Sequence, residues 1–106
     1  MKLTVFLLLQ ASSDWLQLDR ATRKQIGDQA FADSFGGSGI AVRFFDAEAF
    51  CAEVSDVAMI EADNPHDYYF AIERLRDTPV IAKGYFRVEK MIPSFENGYQ
   101  EFEDAS

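Results

Sequence analysis

Lys2-Leu3-Thr4-Val5-Phe6-Leu7-Leu8-Leu9-Gln10 carries Leu3, Val5, Leu7 and Leu9 on one side of an extended chain and Phe6 and Leu8 on the other. A strand apolar on both faces belongs in the middle of a sheet, with a cover on each side. Met1-Lys2 ahead of an apolar run also looks like the front of a secretory leader. The run is at the short limit for one and far too short to span a bilayer. Its strand spacing makes it part of the mature domain.

Outward from this strand, Ser12-Ser13-Asp14 breaks the extended chain. Asp19 has the position of an N-cap for a helix over 20–35, with Ile26, Ala30, Phe31 and Phe35 as its buried stripe. Lys24 and Asp28 stand one turn apart on the wet side, at pairing distance. Gly27 costs this helix about 1 kcal/mol relative to alanine and is expected at a close packing contact. Gly36-Gly37 is expected to end the helix through a left-handed residue. The run Gly36-Gly37-Ser38-Gly39 follows a helix rather than opening one, so it reads as a flexible turn and not as a phosphate cradle.

A second strand is predicted over 40–46, with Val42 and Phe44 on one face and Ala41, Arg43 and Phe45 on the other. An irregular bend through Glu48 and Phe50 leads to a third strand over 54–62. Asn64-Pro65-His66-Asp67 starts a helix: a capping side chain, proline at the first position and a carboxylate in the first turn. This helix buries Tyr68, Ile72 and Leu75, with Tyr69 beside them, and stops at Thr78-Pro79. The last strand is predicted over 84–92. Pro93 and Asn97-Gly98 then punctuate a tail in which Tyr99 and Phe102 alternate with acids.

The order β-α-β-β-α-β is that of a ferredoxin-like α+β domain with a four-stranded antiparallel sheet. Two helices cover one face of such a sheet, yet the first two strands carry large apolar side chains on both. A second copy of the chain is the simplest cover for the other face, which predicts a homodimer. The 106 residues make one domain, without linker, repeat or low-complexity stretch.

Eighteen acidic against ten basic residues give a formal net charge of -8. Lysine and arginine are scattered, so the counterion-releasing contacts of a nucleic-acid binder are missing, and anionic membranes are disfavoured for the same reason. Cys51 is the only cysteine, which rules out an intramolecular disulfide and suits the reducing cytoplasm. His66 is the only histidine, so a multi-histidine metal site within one chain is excluded. No dinucleotide, Walker, CxxC, zinc-protease or nucleophile-elbow motif occurs, and no cofactor or metal is implied.

Trp15-Leu16 with Leu18 and Arg23, the block Arg43-Phe44-Phe45-Asp46-Ala47-Glu48-Ala49-Phe50, and Ser55-Asp56 together resemble the darcynin family of small bacterial proteins. The likeness continues through Glu73-Arg74-Leu75-Arg76-Asp77-Thr78, Tyr85-Phe86 and Glu96-Asn97-Gly98, and so spans nearly all of residues 1–106. It implies a fold similar to the dimeric α+β barrels, in which two ferredoxin-like sheets close on each other. It implies no reaction. The wider barrel superfamily includes cofactor-independent monooxygenases, isomerases and haem proteins, and fold alone transfers none of their catalytic residues.

Arg43 lies mid-strand between apolar neighbours and is expected to need a carboxylate such as Asp56 or Glu61, or a bound anion. A structural ion pair is the simpler of these. Asp46, Glu48, Asp56 and Glu61 cluster around the second and third strands, a pattern that suits a divalent cation or a shared proton. The simpler expectation is that Asp46, Glu48, Ser55 and Asp56 hold the bend by local side-chain to backbone hydrogen bonds. His66 reads as surface decoration beside a helix cap, with general base as the sharper alternative. Trp15 suits either a hydrophobic staple into the next helix or the rim of an apolar pocket. Phe70 falls with His66 and Arg74 on the solvent side, either as one ordinary exposed aromatic or as the mark of a contact surface. The ligand-lining candidates are Trp15, Arg43, Tyr69 and Tyr85. The preferred function is a homodimeric binding or interaction protein that holds a small apolar or aromatic molecule, or none, and does no chemistry. The alternative is a cofactor-independent enzyme on a small aromatic or lactone-like substrate, with Arg43 orienting an oxyanion and Asp56 or His66 moving a proton.

Overall fold

The computed structural model describes residues 1–37 and 39–106. Among them, β1 (Leu3–Ala11), β2 (Ile40–Asp46), β3 (Asp56–Ala62) and β4 (Phe86–Ser94) form one antiparallel sheet in the order β2-β3-β1-β4. β1 is therefore central, as its two apolar faces require. Two longer helices, α2 (Arg20–Phe35) and α3 (Pro65–Asp77), cover one face, giving the ferredoxin-like α+β arrangement.

The helix-covered face holds the core. Val5, Leu7 and Leu9 of β1 and Ala58, Ile60 and Ala62 of β3 are buried there, in register as Val5↔Ile60 and Leu7↔Ala58. Phe35 from α2 and Ala71, Ile72 and Leu75 from α3 close over them. Each large side chain so buried contributes about 1.5–3 kcal/mol relative to exposure.

Both long helices start at the expected caps. The Thr22 backbone N–H donates to Asp19 Oδ1 at 2.7 Å, and that of Asp67 donates to Asn64 Oδ1 at 2.8 Å. The Lys24–Asp28 pair forms at 2.7 Å.

Other expectations are corrected. Gly36 is right-handed, with φ -74°, and the left-handed glycine is Gly39 at φ 85°. Ser38, which belongs to the flexible turn expected over 36–39, lies outside the described residues. Phe31 is exposed rather than buried, and Ser34 takes its place beneath α2. A Cβ at Gly27 would meet nothing within 4 Å, so that glycine marks free space and not a close approach.

Three short helices were not anticipated: α1 (Ser13–Gln17), α4 (Pro79–Ala82) and α5 (Gly98–Ala105). Ser12 interrupts the strand by capping α1, its Oγ accepting from the Trp15 N–H at 3.2 Å. Pro79 ends α3 and occupies the first turn of α4. Asn97, left-handed at φ 52°, turns the chain into α5, and Pro93 sits inside edge strand β4 rather than beyond it.

Among the described residues, no helix packs on the second sheet face. Phe6, Leu8, Val57 and Met59 lie there half-buried, flanked by Phe45 and Ile92 at 44% and 43% exposure. The pairs Phe6↔Met59, Leu8↔Val57, Phe45↔Val57 and Phe6↔Ile92 make this a continuous apolar surface. Among the described residues, α5 packs closely on no other element, and it exposes Tyr99 and Phe102.

Candidate functional site

A cavity of about 180 Å³ lies between the helix-covered sheet face, α2 and α4. It exists because small residues face it from two sides, Gly27 and Ala30 on α2 and Ala58 on β3, while rings stand around them. Those rings are Trp15, Phe31, Phe35, Phe44 and Phe86. Phe31 meets Phe35 at 5.7 Å and Phe44 at 5.5 Å between centroids.

Trp15 is held from two directions. α1 is capped by Ser12, whose own N–H donates to the Tyr85 carbonyl at 2.8 Å. The indole then packs on Tyr85 at 5.5 Å and on Phe86 at 5.0 Å. Tyr85 therefore supports the tryptophan from behind and is not itself part of the wall.

Asp56 is the one ionisable residue in the cavity wall. It starts β3 opposite Asp46 and beside Leu9, on the same face as Ala58 and Ile60. Ser55 fixes it. Ser55 is buried, accepts the Ala11 N–H at 2.8 Å, and donates to Asp56 Oδ2 at 2.7 Å. Burial pushes the Asp56 carboxyl above the ordinary carboxylate value; the Ser55 hydrogen bond opposes that, and the Asp46 charge adds to it. Among the described residues, Asp56 has no cationic partner and its Oδ1 accepts no protein hydrogen bond.

The remaining candidates do not converge here. Arg43 pairs with Met59 and lies on the helix-free face, the opposite side of the sheet from Asp56. The expected Arg43–Asp56 contact is absent because the two positions differ in pleat parity. No ion pair to Glu61 forms either; the guanidinium lies 5.2 Å from the Phe45 ring centroid. Tyr69 is exposed on α3, outside the cavity. His66 is exposed and stacks on Phe70 at 4.2 Å, with Asp67 Oδ1 3.8 Å from Nδ1. Cys51 Sγ lies 3.6 Å from Glu53. The local bonding expected of the bend is present at Asp46, whose Oδ1 accepts the Glu48 N–H at 3.2 Å.

Sequence reasoning named Trp15 and Asp56 separately and missed Gly27, Phe31, Phe44 and Phe86. The available signal was Gly27 and Ala30 spaced i, i+3 on the inward side of a helix, beneath an aromatic strand.

Solved structures share the fold at low identity. A mutant chlorite dismutase from Candidatus Nitrospira defluvii superposes with a TM-score of 0.80 over 97% of this chain at 9% identity. A haem-binding protein from Thermus thermophilus gives 0.73 over 94% at 13%. The chain spans only 44% and 43% of those two proteins. Closer in sequence are a darcynin from Chromobacterium violaceum, 41% identical over 64 residues (60% of this chain, 81% of the relative), and a darcynin homologue from Streptomyces avermitilis, 34% identical over 98 residues (91% and 80%). The family model "Darcynin, domain of unknown function" matches residues 1–103, and the chain belongs to the darcynin family.

Proposed function

We propose that the protein is a homodimeric binding protein that holds one small apolar or aromatic molecule in the cavity between its helices and its sheet. The observation that carries this is a cavity of about 180 Å³ whose wall is aromatic and aliphatic but for one carboxylate. An engineered apolar cavity of roughly 150 Å³ holds benzene, so one ring with a short substituent is the right scale. The helix-free sheet face supports the dimer, since a second copy would cover Phe6, Met59, Phe45 and Ile92 together. A single cysteine suits a cytoplasmic setting.

Haem, which the Thermus thermophilus protein binds, does not fit this cavity. Its iron takes an axial ligand from His, Cys, Met or Tyr, and the lining residues include none of these. His66 is exposed on α3, stacked on Phe70.

Trp15 is the only tryptophan and lines the cavity, so its emission reports occupancy. Titration with 2-phenylethanol is expected to change that emission saturably. Gly27→Leu fills the free space beside Ala30 and improves helix propensity, so it should weaken binding by about tenfold or more without lowering the melting temperature. Unchanged binding in that variant would place the ligand elsewhere, and no saturable change in either protein would end the proposal.

A further inference from the structure

We infer that the ligand of this cavity is a small hydrophobic amine, bound as its ammonium ion against Asp56. The inference rests on the proposal that the cavity is a binding site and names the class of molecule it takes. Ser55 occupies one carboxylate oxygen of Asp56 at 2.7 Å, and Oδ1 on the other side accepts no hydrogen bond among the described residues. Asp56 is half-buried, and in an otherwise apolar wall its Oδ1 is open to a charged hydrogen-bond donor. No protein cation supplies one: Arg43 lies across the sheet, and the described ion pairs involve Lys24, His66 and Arg87, none of them with Asp56. Asp46, facing Asp56 across the β2–β3 pair, adds negative potential at the same place.

The rest of the wall fits the rest of such a molecule. Trp15, Phe44 and Phe86 line the same cavity, and aromatic rings suit both a cation and a second aromatic ring. A formal charge of -8 draws cations toward the protein and repels anions. A carboxylate ligand of the same shape would meet Asp56 and Asp46 with like charge. A neutral alcohol would bind by its ring and one hydrogen bond alone.

Three isosteric probes separate these cases: 2-phenylethylamine, 2-phenylethanol and phenylacetate, each titrated at about pH 7 against Trp15 emission. The amine is expected to bind about tenfold tighter than the alcohol, and phenylacetate more weakly than either, the difference a charged hydrogen bond makes. Asp56→Asn keeps an acceptor for Ser55 and removes the charge. It should erase the amine's advantage while 2-phenylethanol still binds saturably, which also shows that the cavity is intact. Equal binding of amine and alcohol by the wild type, or an amine preference surviving in Asp56→Asn, overturns the inference while the Gly27→Leu-sensitive alcohol site stands. If no probe perturbs Trp15, the cavity proposal falls and the inference with it.

Discussion

Asp46 and Asp56 face each other across two strands, but only Asp56 has been drawn into an apolar wall. Its folded-state pKa lies above the ordinary 3.8, first because of burial. Folding therefore favours the protonated acid. That contribution is complete below the unfolded value and is lost as pH rises through the folded one. At neutral pH the ionised side chain destabilises the fold relative to a neutral isostere. Asp56→Asn should thus resist urea better than wild type at about pH 7 and lose that advantage at about pH 3.5, as followed by Trp15 emission. The same gap at both pH values would trace the effect to packing instead of charge. Nothing in the order Ser55-Asp56-Val57 announces this, since the wall around Asp56 is drawn from four helices and all four strands. What was legible is the local bonding of the bend, seen where Asp46 accepts the Glu48 N–H; the side-chain bond from Ser55 to Asp56 was not anticipated.

The elements with the strongest local chemistry were the most legible. α2 and α3 begin where Asp19 and Asn64 can cap them, because the capping bond is made within three residues. Asn64→Ala removes the acceptor for the Asp67 N–H and should cost about 1 kcal/mol. In a domain of this size that lowers the melting temperature by roughly 4–8 °C, measurable by circular dichroism. An unchanged midpoint would mean that Pro65 and packing alone set the start of α3. The short helices failed for a common reason. Thr78-Pro79 and Asn97-Gly98 are punctuation, and punctuation that ends one element also opens the next. Gly27 failed differently: a helical glycine is as consistent with a void as with a close neighbour, and only the opposite wall distinguishes them.

For the whole molecule, the two faces of one sheet have different fates. Helices cover Val5, Leu7 and Leu9, while Phe6 and Leu8 on the same strand are left at a helix-free surface. α5, short for a helix without tertiary support, adds exposed Tyr99 and Phe102. If a second copy covers the sheet face, Phe45→Glu places a charge within it. The variant should then sediment as a monomer at protein concentrations where the wild type is a dimer. Phe50→Ser, at 95% exposure and outside the strands, should leave assembly unchanged. A wild-type monomer at micromolar concentration would refute the dimer outright.

The sequence by itself determined the class of fold, the strand faces, the two long helices with their caps, and the apolar character of both faces of β1. Those properties follow from periodicities of two and 3.6 residues and from hydrogen bonds spanning a few positions, all local in the chain. Only the tertiary structure decided that Arg43 and Asp56 lie on opposite sides of the sheet, and that Gly27, Trp15, Phe44 and Phe86 surround one cavity. A void is what remains after several elements pack. Its position depends on residues distant in sequence and small on facing sides, a pattern that no single segment records.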